Sequence, residues 1–243
     1  MTTRKLTGRI TAQAIRRMEL PRLAPGILQR YARLGDLTGA LSDAMDRLKL
    51  HGAIPAAVLA PSLPQARIVG QAVTVRNVER EEDAWACAEA GIGKMAEHEA
   101  YNLADPGDVV VIEGLTGVSN MGGQSATVAR RAQCAGAVID GSFRDPGASR
   151  ELGFPIWAKG VTPITGKWRL QTVEINGQVR ISGVVVQAGD LVAADEAGVV
   201  FIPYEQAERV LAEAERIDAG DARQKADIAA GIDLATLAAT KYK

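Results

Sequence analysis

The stretch GGQSATVARRAQCAGAVIDGSFRDPGASRELGFP, residues 122–155, decides the architecture. Gly122 and Gly123 lead into a segment with apolar positions at helical spacing, predicting a helix from about Ser125 to Ala135. Ala137 to Asp140 is a short apolar run and predicts a buried strand, followed by a loop that presents Arg144 beside Asp145. Upstream, Asp105-Pro106-Gly107-Asp108 is a turn signal and Val109 to Ile112 a second apolar strand. Strand, helix and strand within roughly 30 residues make a βαβ unit. Its right-handed crossover sets the strands parallel and sends their following loops off one sheet edge. The glycine loop and Arg144 are therefore expected to meet.

Working outward, the chain through about residue 50 reads mainly helical, with Leu37, Leu41, Ala44, Met45 and Leu48 at helical spacing. A proline-containing stretch, 54–64, ends that region. Ile68 to Val75 is rich in β-branched residues and predicts a strand, whereas residues 81–104, rich in Ala and Glu, predict a helix. Beyond residue 155 the pattern turns β-rich. Val173, Ile175, Val179 and Ile181 flank Asn176-Gly177, a hairpin signal. Val184 to Val186 and Val199 to Ile202 add strands, and a helical region follows Pro203, with Gly220 and Gly231 as candidate breaks. No linker or fixed-period repeat interrupts this, so one α/β domain over residues 1–243 is expected, with a helical extension over about 204–243.

Composition narrows the function. With 47% hydrophobic and 23% charged residues the chain has ordinary globular proportions, and a net charge of −1 gives no field to recruit nucleic acid or an anionic membrane. Aromatic content of 4% and a lone Arg130-Arg131 pair argue further against direct nucleic-acid binding. No apolar run reaches membrane-spanning length, and Arg4, Arg9, Arg16, Arg17 and Glu19 scattered through the first 20 residues argue against a secretory signal, so the cytoplasm is the expected location. Cys87 and Cys134 are too few and too distant for a zinc motif or disulfide framework, and Cys134 is expected to be a reduced packing residue. Only His51 and His98 are present, so any metal is expected to be an oxygen-bound hard cation. Neither a Walker loop, a strand-linked dinucleotide fingerprint nor a nucleophile elbow occurs.

The candidate chemistry lies in the opening stretch. Gly122, Gly123, Gln124 and Ser125 sit where a loop meets a helix, and N–H groups there have no internal partner and attract anions. The plain alternative is a tight turn. Arg144 has the fork that grips a carboxylate through two hydrogen bonds, or it simply pairs with Asp140, Asp145 or Glu151. Asp145 suits Mg²⁺ or Mn²⁺, which need few protein ligands, or it only forms the turn before Pro146. Asp43, Asp46, Asp190 and the Asp195-Glu196 pair read as solvated, capping or turn residues.

Five segments resemble one family in order and spacing: LSDAMDRL (41–48), PGDVVVIEG (106–114), GGQSATVARRAQCAGAVIDGSFRD (122–145), ELGFPIWAKG (151–160) and AGDLVAADEAGVVFIP (188–203). This family includes the RNase E regulator RraA and the 4-hydroxy-4-methyl-2-oxoglutarate aldolases. The resemblance implies an RraA-like swivelling β/β/α domain, similar to phosphohistidine domains, assembled as trimers or pairs of trimers with sites at subunit boundaries. It implies a divalent-metal-dependent (Mg²⁺ or Mn²⁺) carbon–carbon lyase of pyruvyl-type 2-oxo acids, an aldolase or an oxaloacetate decarboxylase. The other expectations are a noncatalytic regulator of RNase E, or a lyase or hydratase of another oxo acid. Carried over by position, Arg144 binds substrate carboxylate or enolate oxygen and Asp145 ligates the metal. Backbone amides around Gly123, Gln124 and Ser125 hold the pyruvyl carboxylate. Asp221 is the expected carboxylate from a neighbouring subunit's C-terminal helix. Aldolase members commonly carry an aspartate where this chain has Gly123, which preserves the backbone anion site but removes that carboxylate.

Overall fold

A computed structural model describes residues 5–24 and 26–243. Its α-helices are α1 (Ile27–Ala32), α2 (Leu37–Arg47), α3 (Ala84–Glu89), α4 (Glu97–Leu103), α5 (Gly123–Arg131), α6 (Pro146–Leu152), α7 (Ala207–Ala229) and α8 (Leu234–Ala239). Its strands are β1 (Ala53–Pro55), β2 (Ala60–Pro61), β3 (Ile68–Glu79), β4 (Val109–Glu113), β5 (Gly136–Phe143), β6 (Ile156–Val161), β7 (Leu170–Ile175), β8 (Val179–Ile181), β9 (Val184–Val186), β10 (Leu191–Asp195) and β11 (Gly198–Ile202).

A mixed sheet runs β1-β11-β10-β3-β4-β5-β6-β2 and curls towards closure. Strand β3 joins its two halves: Ile68–Gln71 pairs antiparallel with β10, and Ala72–Arg76 pairs parallel with β4. Parallel pairing continues through β5 to β6, so the βαβ reading of residues 109–143 holds. Alternation along the strands builds three apolar layers. Val110, Ile112, Ala137 and Ile139 face α4 and α5, packing with Ala100, Ala126 and Ala129. Val109, Val111 and Val138 face inward onto Trp157, Val192 and Phe201. Leu191, Ala193, Val200 and Ile202 turn the other way, onto α2 and α7 through Leu41, Met45, Val210 and Leu211. Each valine, leucine, isoleucine, methionine or phenylalanine fully buried in these layers contributes about 1.5–3 kcal/mol.

Several expected elements differ. The helix over 81–104 is two helices, α3 and α4, because Ala90-Gly91-Ile92-Gly93 breaks the run and Gly91 adopts a φ of +68°. The residues between them become a wall of the cleft described below. The hairpin at Asn176-Gly177 does not form. Strand β7 pairs with β3, while β8 pairs with β9 around Ser182 and Gly183. Asn176 does take the left-handed conformation (φ 54°), but Thr74 bonds both sides of the turn, sending β8 off the path of β7. The opening is less helical than expected, with only α1, α2 and a three-residue 3₁₀ turn before residue 50 among the described residues. Helix α5 starts two residues earlier than expected and ends at Arg131, with Gln133 left-handed just beyond. Gly220 does not break α7; a Cβ there would lie 2.4 Å from the Tyr242 carbonyl, so the glycine admits the returning C-terminus.

Candidate active site

The cleft is assembled at the edge where β4 and β5 end. Buried Asn120 stitches the two exits together: its N–H donates to the Ser142 carbonyl at 2.9 Å, and its Nδ2 donates to the Leu115 and Ser142 carbonyls at 2.8 and 3.1 Å. The Arg144 N–H then donates to the Met121 carbonyl at 2.9 Å, laying the end of β5 beside the start of α5. Asp145 follows in a left-handed conformation (φ 61°, ψ 53°), as the residue preceding α6, with Pro146 in its first turn. Aspartate tolerates this conformation better than most side chains, and it turns the carboxylate back towards Gly122 and Gly123.

Three sequence-predicted residues meet there. Asp145 Oδ2 accepts the N–H of Gly123 at 2.9 Å and the Nε–H of Arg144 at 3.3 Å. Oδ1 has no partner among the described residues. The first-turn N–H groups of Gln124 and Ser125 have no helical acceptor, because the α-helical ladder begins with Ala126 donating to the Gly122 carbonyl. Beside them opens a cleft of about 330 Å³, lined by Gly122, Gln124, Ser125 and Arg144 together with Glu97, His98 and Lys167. Asp145 is not itself a wall of this cleft but is bonded to Arg144, which is.

Sequence reasoning missed the opposite wall. Glu97 and His98 lie at the head of α4, and Lys167 in a loop before β7. No spacing in the sequence marked them: Glu97 and His98 follow the break at Gly91 and Gly93, and Lys167 arrives from the separate loop between β6 and β7. Glu97 is 9% exposed, and its Oε1 accepts from Ser125 Oγ at 3.2 Å. Ser125 Oγ in turn lies 2.7 Å from the hydroxyl of fully buried Tyr101.

The position of Gly123 is tight. A Cβ there would lie 2.9 Å from Ala148 Cβ and 3.4 Å from Asp145 Cβ, so α6 has closed over the place a larger residue would need. Asp221 lies on α7, paired at 2.8 Å with Lys243, and lines no part of this chain's cleft. Two other acidic residues that the sequence offered serve the fold. Asp195 accepts from Thr38 and Ala197, and buried Asp190 accepts from Gln187 and Tyr204.

No cluster of three or more His, Cys, Asp or Glu side chains gathers among the described residues. That donor set does not suit a zinc site. It does fit Mg²⁺ or Mn²⁺, which keep most of their waters and take one or two carboxylates, and the free Oδ1 of Asp145 is such a donor.

The family model described as RraA-like, Aldolase/RraA, matches residues 38–201. A Halalkalibacterium halodurans protein with the provisional name 4-hydroxy-4-methyl-2-oxoglutarate aldolase is 32% identical over 78% of this chain and 83% of its own length. An uncharacterized protein from Pseudomonas syringae pv. tomato has a crystal structure that superposes with a TM-score of 0.77, at 25% identity over 92% of this chain and 97% of its own. RraAS2 of Streptomyces coelicolor, described as an unusual member of the RNase ES inhibitor RraA protein family, shares the fold with a TM-score of 0.68, at 24% identity over 87% of this chain and 98% of its own. The family holds both aldolases and noncatalytic regulators of RNase E. By its matched core and its fold, the chain belongs to the RraA-like, Aldolase/RraA family.

Proposed function

We propose that this protein is a divalent-metal-dependent carbon–carbon lyase of pyruvyl-type 2-oxo acids, cleaving a 4-hydroxy-2-oxo diacid or decarboxylating oxaloacetate. One observation carries the reading: the Arg144 guanidinium and the α5 N-terminus converge on a single anionic oxygen, Asp145 Oδ2. A site that binds a carboxylate from its own chain this way has the groups to bind a second from a substrate.

Arg144 uses only Nε on Asp145, so its Nη groups are available to a carboxylate or enolate oxygen in the cleft. The N–H groups of Gln124 and Ser125 add donors fixed before the reaction begins, which is what stabilises charge that develops in a transition state. Mg²⁺ or Mn²⁺ held at Asp145 supplies Lewis acidity where the enolate charge forms. Lys167, also in the wall, extends the positive surface towards the far end of a diacid. The name of the Halalkalibacterium relative supports the same chemistry.

The proposal includes assembly as a trimer or pair of trimers, with Asp221 reaching a neighbouring cleft. Exposed Ile92 and Ile164, each beside a cleft-wall residue, support a subunit boundary at this edge. Purified protein with Mg²⁺ or Mn²⁺ is expected to release pyruvate from oxaloacetate or from a 4-hydroxy-2-oxo diacid. No release from either, together with capture of RNase E, would place it among the noncatalytic regulators instead.

A further inference from the structure

Carbon–carbon cleavage to pyruvate needs a group that moves a proton at the reacting carbon. Gly123 offers no side chain, and α6 has closed the space where one would stand. Arg144 and Lys167 are cations, and Asp145 already holds two donors on one oxygen. Among the described residues the cleft wall carries one carboxylate, that of Glu97.

Its surroundings are built. Ser125 has a single hydroxyl hydrogen and gives it to Glu97 Oε1, so Tyr101 is the donor in the bond to Ser125 Oγ. Burial, and then the nearby charge of Glu97, push the Tyr101 hydroxyl well above the usual tyrosine range, so it keeps the proton this chain requires. Tyr101 to Ser125 to Glu97 is thus a one-way relay of donors ending on a carboxylate. Glu97 Oε2 has no partner among the described residues. Ser125 also belongs to the first turn of α5, the turn proposed to receive the substrate carboxylate. The relay therefore fixes Glu97 relative to the bound anion.

We propose that Glu97 is the acid–base group of this cleft, exchanging a proton with C3 of a bound pyruvyl unit. The proposal rests on the lyase reading. In the exchange half-reaction, Glu97 takes a proton from the C3 methyl of pyruvate. The C–H electron pair forms the C2–C3 double bond, and the carbonyl pair moves to the C2 oxygen as the enolate. Return of a proton to C3 reverses each step. In cleavage of a 4-hydroxy-2-oxo acid, Glu97 accepts the 4-hydroxyl proton, and the new carbonyl forms at C4. The C3–C4 bond breaks with its electrons passing to the same enolate, and Glu97 then delivers the proton to C3. Nothing is oxidised or reduced. His98 lines the same cleft, 5.7 Å from the Tyr101 ring, and is the competing base.

The test follows the pyruvate methyl signal by proton NMR in deuterium oxide, with the whole chain and Mg²⁺. General acid–base groups typically contribute about 10²–10⁴ in rate. The wild type is expected to exchange the methyl protons. Glu97→Gln is expected to slow kcat at least about 100-fold with KM within about threefold, and Glu97→Asp to recover at least about tenfold of the loss. A side chain that only packs would not split kcat from KM in this way. Wild-type protein that does not exchange, Glu97→Gln that exchanges within about threefold of it, or loss in His98→Asn but not in Glu97→Gln would each overturn the assignment. Pyruvate release from oxaloacetate or a 4-hydroxy-2-oxo diacid separates the two levels. Release by the wild type with normal exchange in Glu97→Gln sinks Glu97 alone, whereas no release from any such substrate sinks the lyase reading and this proposal with it.

Discussion

Asp145 accepts the backbone N–H of Gly123 at 2.9 Å, across 22 residues of sequence, and so fastens the end of β5 to the start of α5. The same carboxylate is the proposed metal ligand. Asp145→Asn keeps the shape but removes the charge. It is expected to abolish stabilisation by Mn²⁺ in thermal unfolding and to lower kcat/KM for pyruvate release at least about 100-fold, the scale of losing an electrostatic group made for the transition state. A full Mn²⁺ shift in this variant would remove Asp145 from the metal site.

The close approach of Gly123 and Ala148 makes a second prediction. Gly123→Ala should gain helix propensity but force apart two Cβ atoms at 2.9 Å, for a net loss of about 1–2 kcal/mol by denaturant unfolding. Ala148→Gly alone should cost about 1 kcal/mol. Combined, the two should fall short of the sum by at least about 0.5 kcal/mol, since each relieves the other's crowding. Strict additivity would mean that α5 and α6 move freely apart.

Arg22 meets Asp108 through two bonds, Nη1 to Oδ1 at 2.6 Å and Nη2 to Oδ2 at 3.0 Å, and Asp108 is 3% exposed. Burial raises the Asp108 carboxyl above the usual aspartate range, against the pull of Arg22. A folded pKa above the unfolded one means that stability from this group is full below the unfolded pKa and lost as pH rises through the folded pKa. Arg22→Ala removes the opposing pull and raises it further. Breaking a fully buried pair costs roughly 3–5 kcal/mol; with Arg22 partly exposed, about 2 kcal/mol is expected at pH 8 and clearly less at pH 4. Equal losses at both values would show that Asp108 is not titrating in this window.

Cys87 and Cys134 are both buried, and burial pushes the Cys134 thiol up to about 12, with the charge of Asp108 adding to it. Thiolate is the reactive form, so Cys134 should not react with a disulfide reagent at pH 8 until the chain unfolds. Rapid modification of Cys134 in the native protein would contradict its packed position.

Much of this was legible from residues 106–155, because strand and helix periodicities there agree with the turn residues between them. The meeting of Arg144, Asp145 and the glycine turn followed from handedness alone. Glu97 and Lys167 were not legible: Glu97 follows a break that looks like continuous helix in composition, and Lys167 comes from the loop between β6 and β7. The Asn176-Gly177 turn misled for a related reason: its conformation is local, but the partner of each flanking strand is chosen by burial elsewhere. Asp221 was placed by resemblance, and a single chain pairs it with its own Lys243.

A crystal structure of the protein with Mn²⁺ and oxalate, a mimic of the pyruvate enolate, bears most directly on the site. The anomalous manganese peak is expected about 2.1 Å from an Asp145 oxygen, with oxalate bridging the ion, Arg144 and the first turn of α5. Manganese bound away from Asp145, or oxalate seated without Arg144, would contradict the joint anion and cation site on which the lyase reading stands.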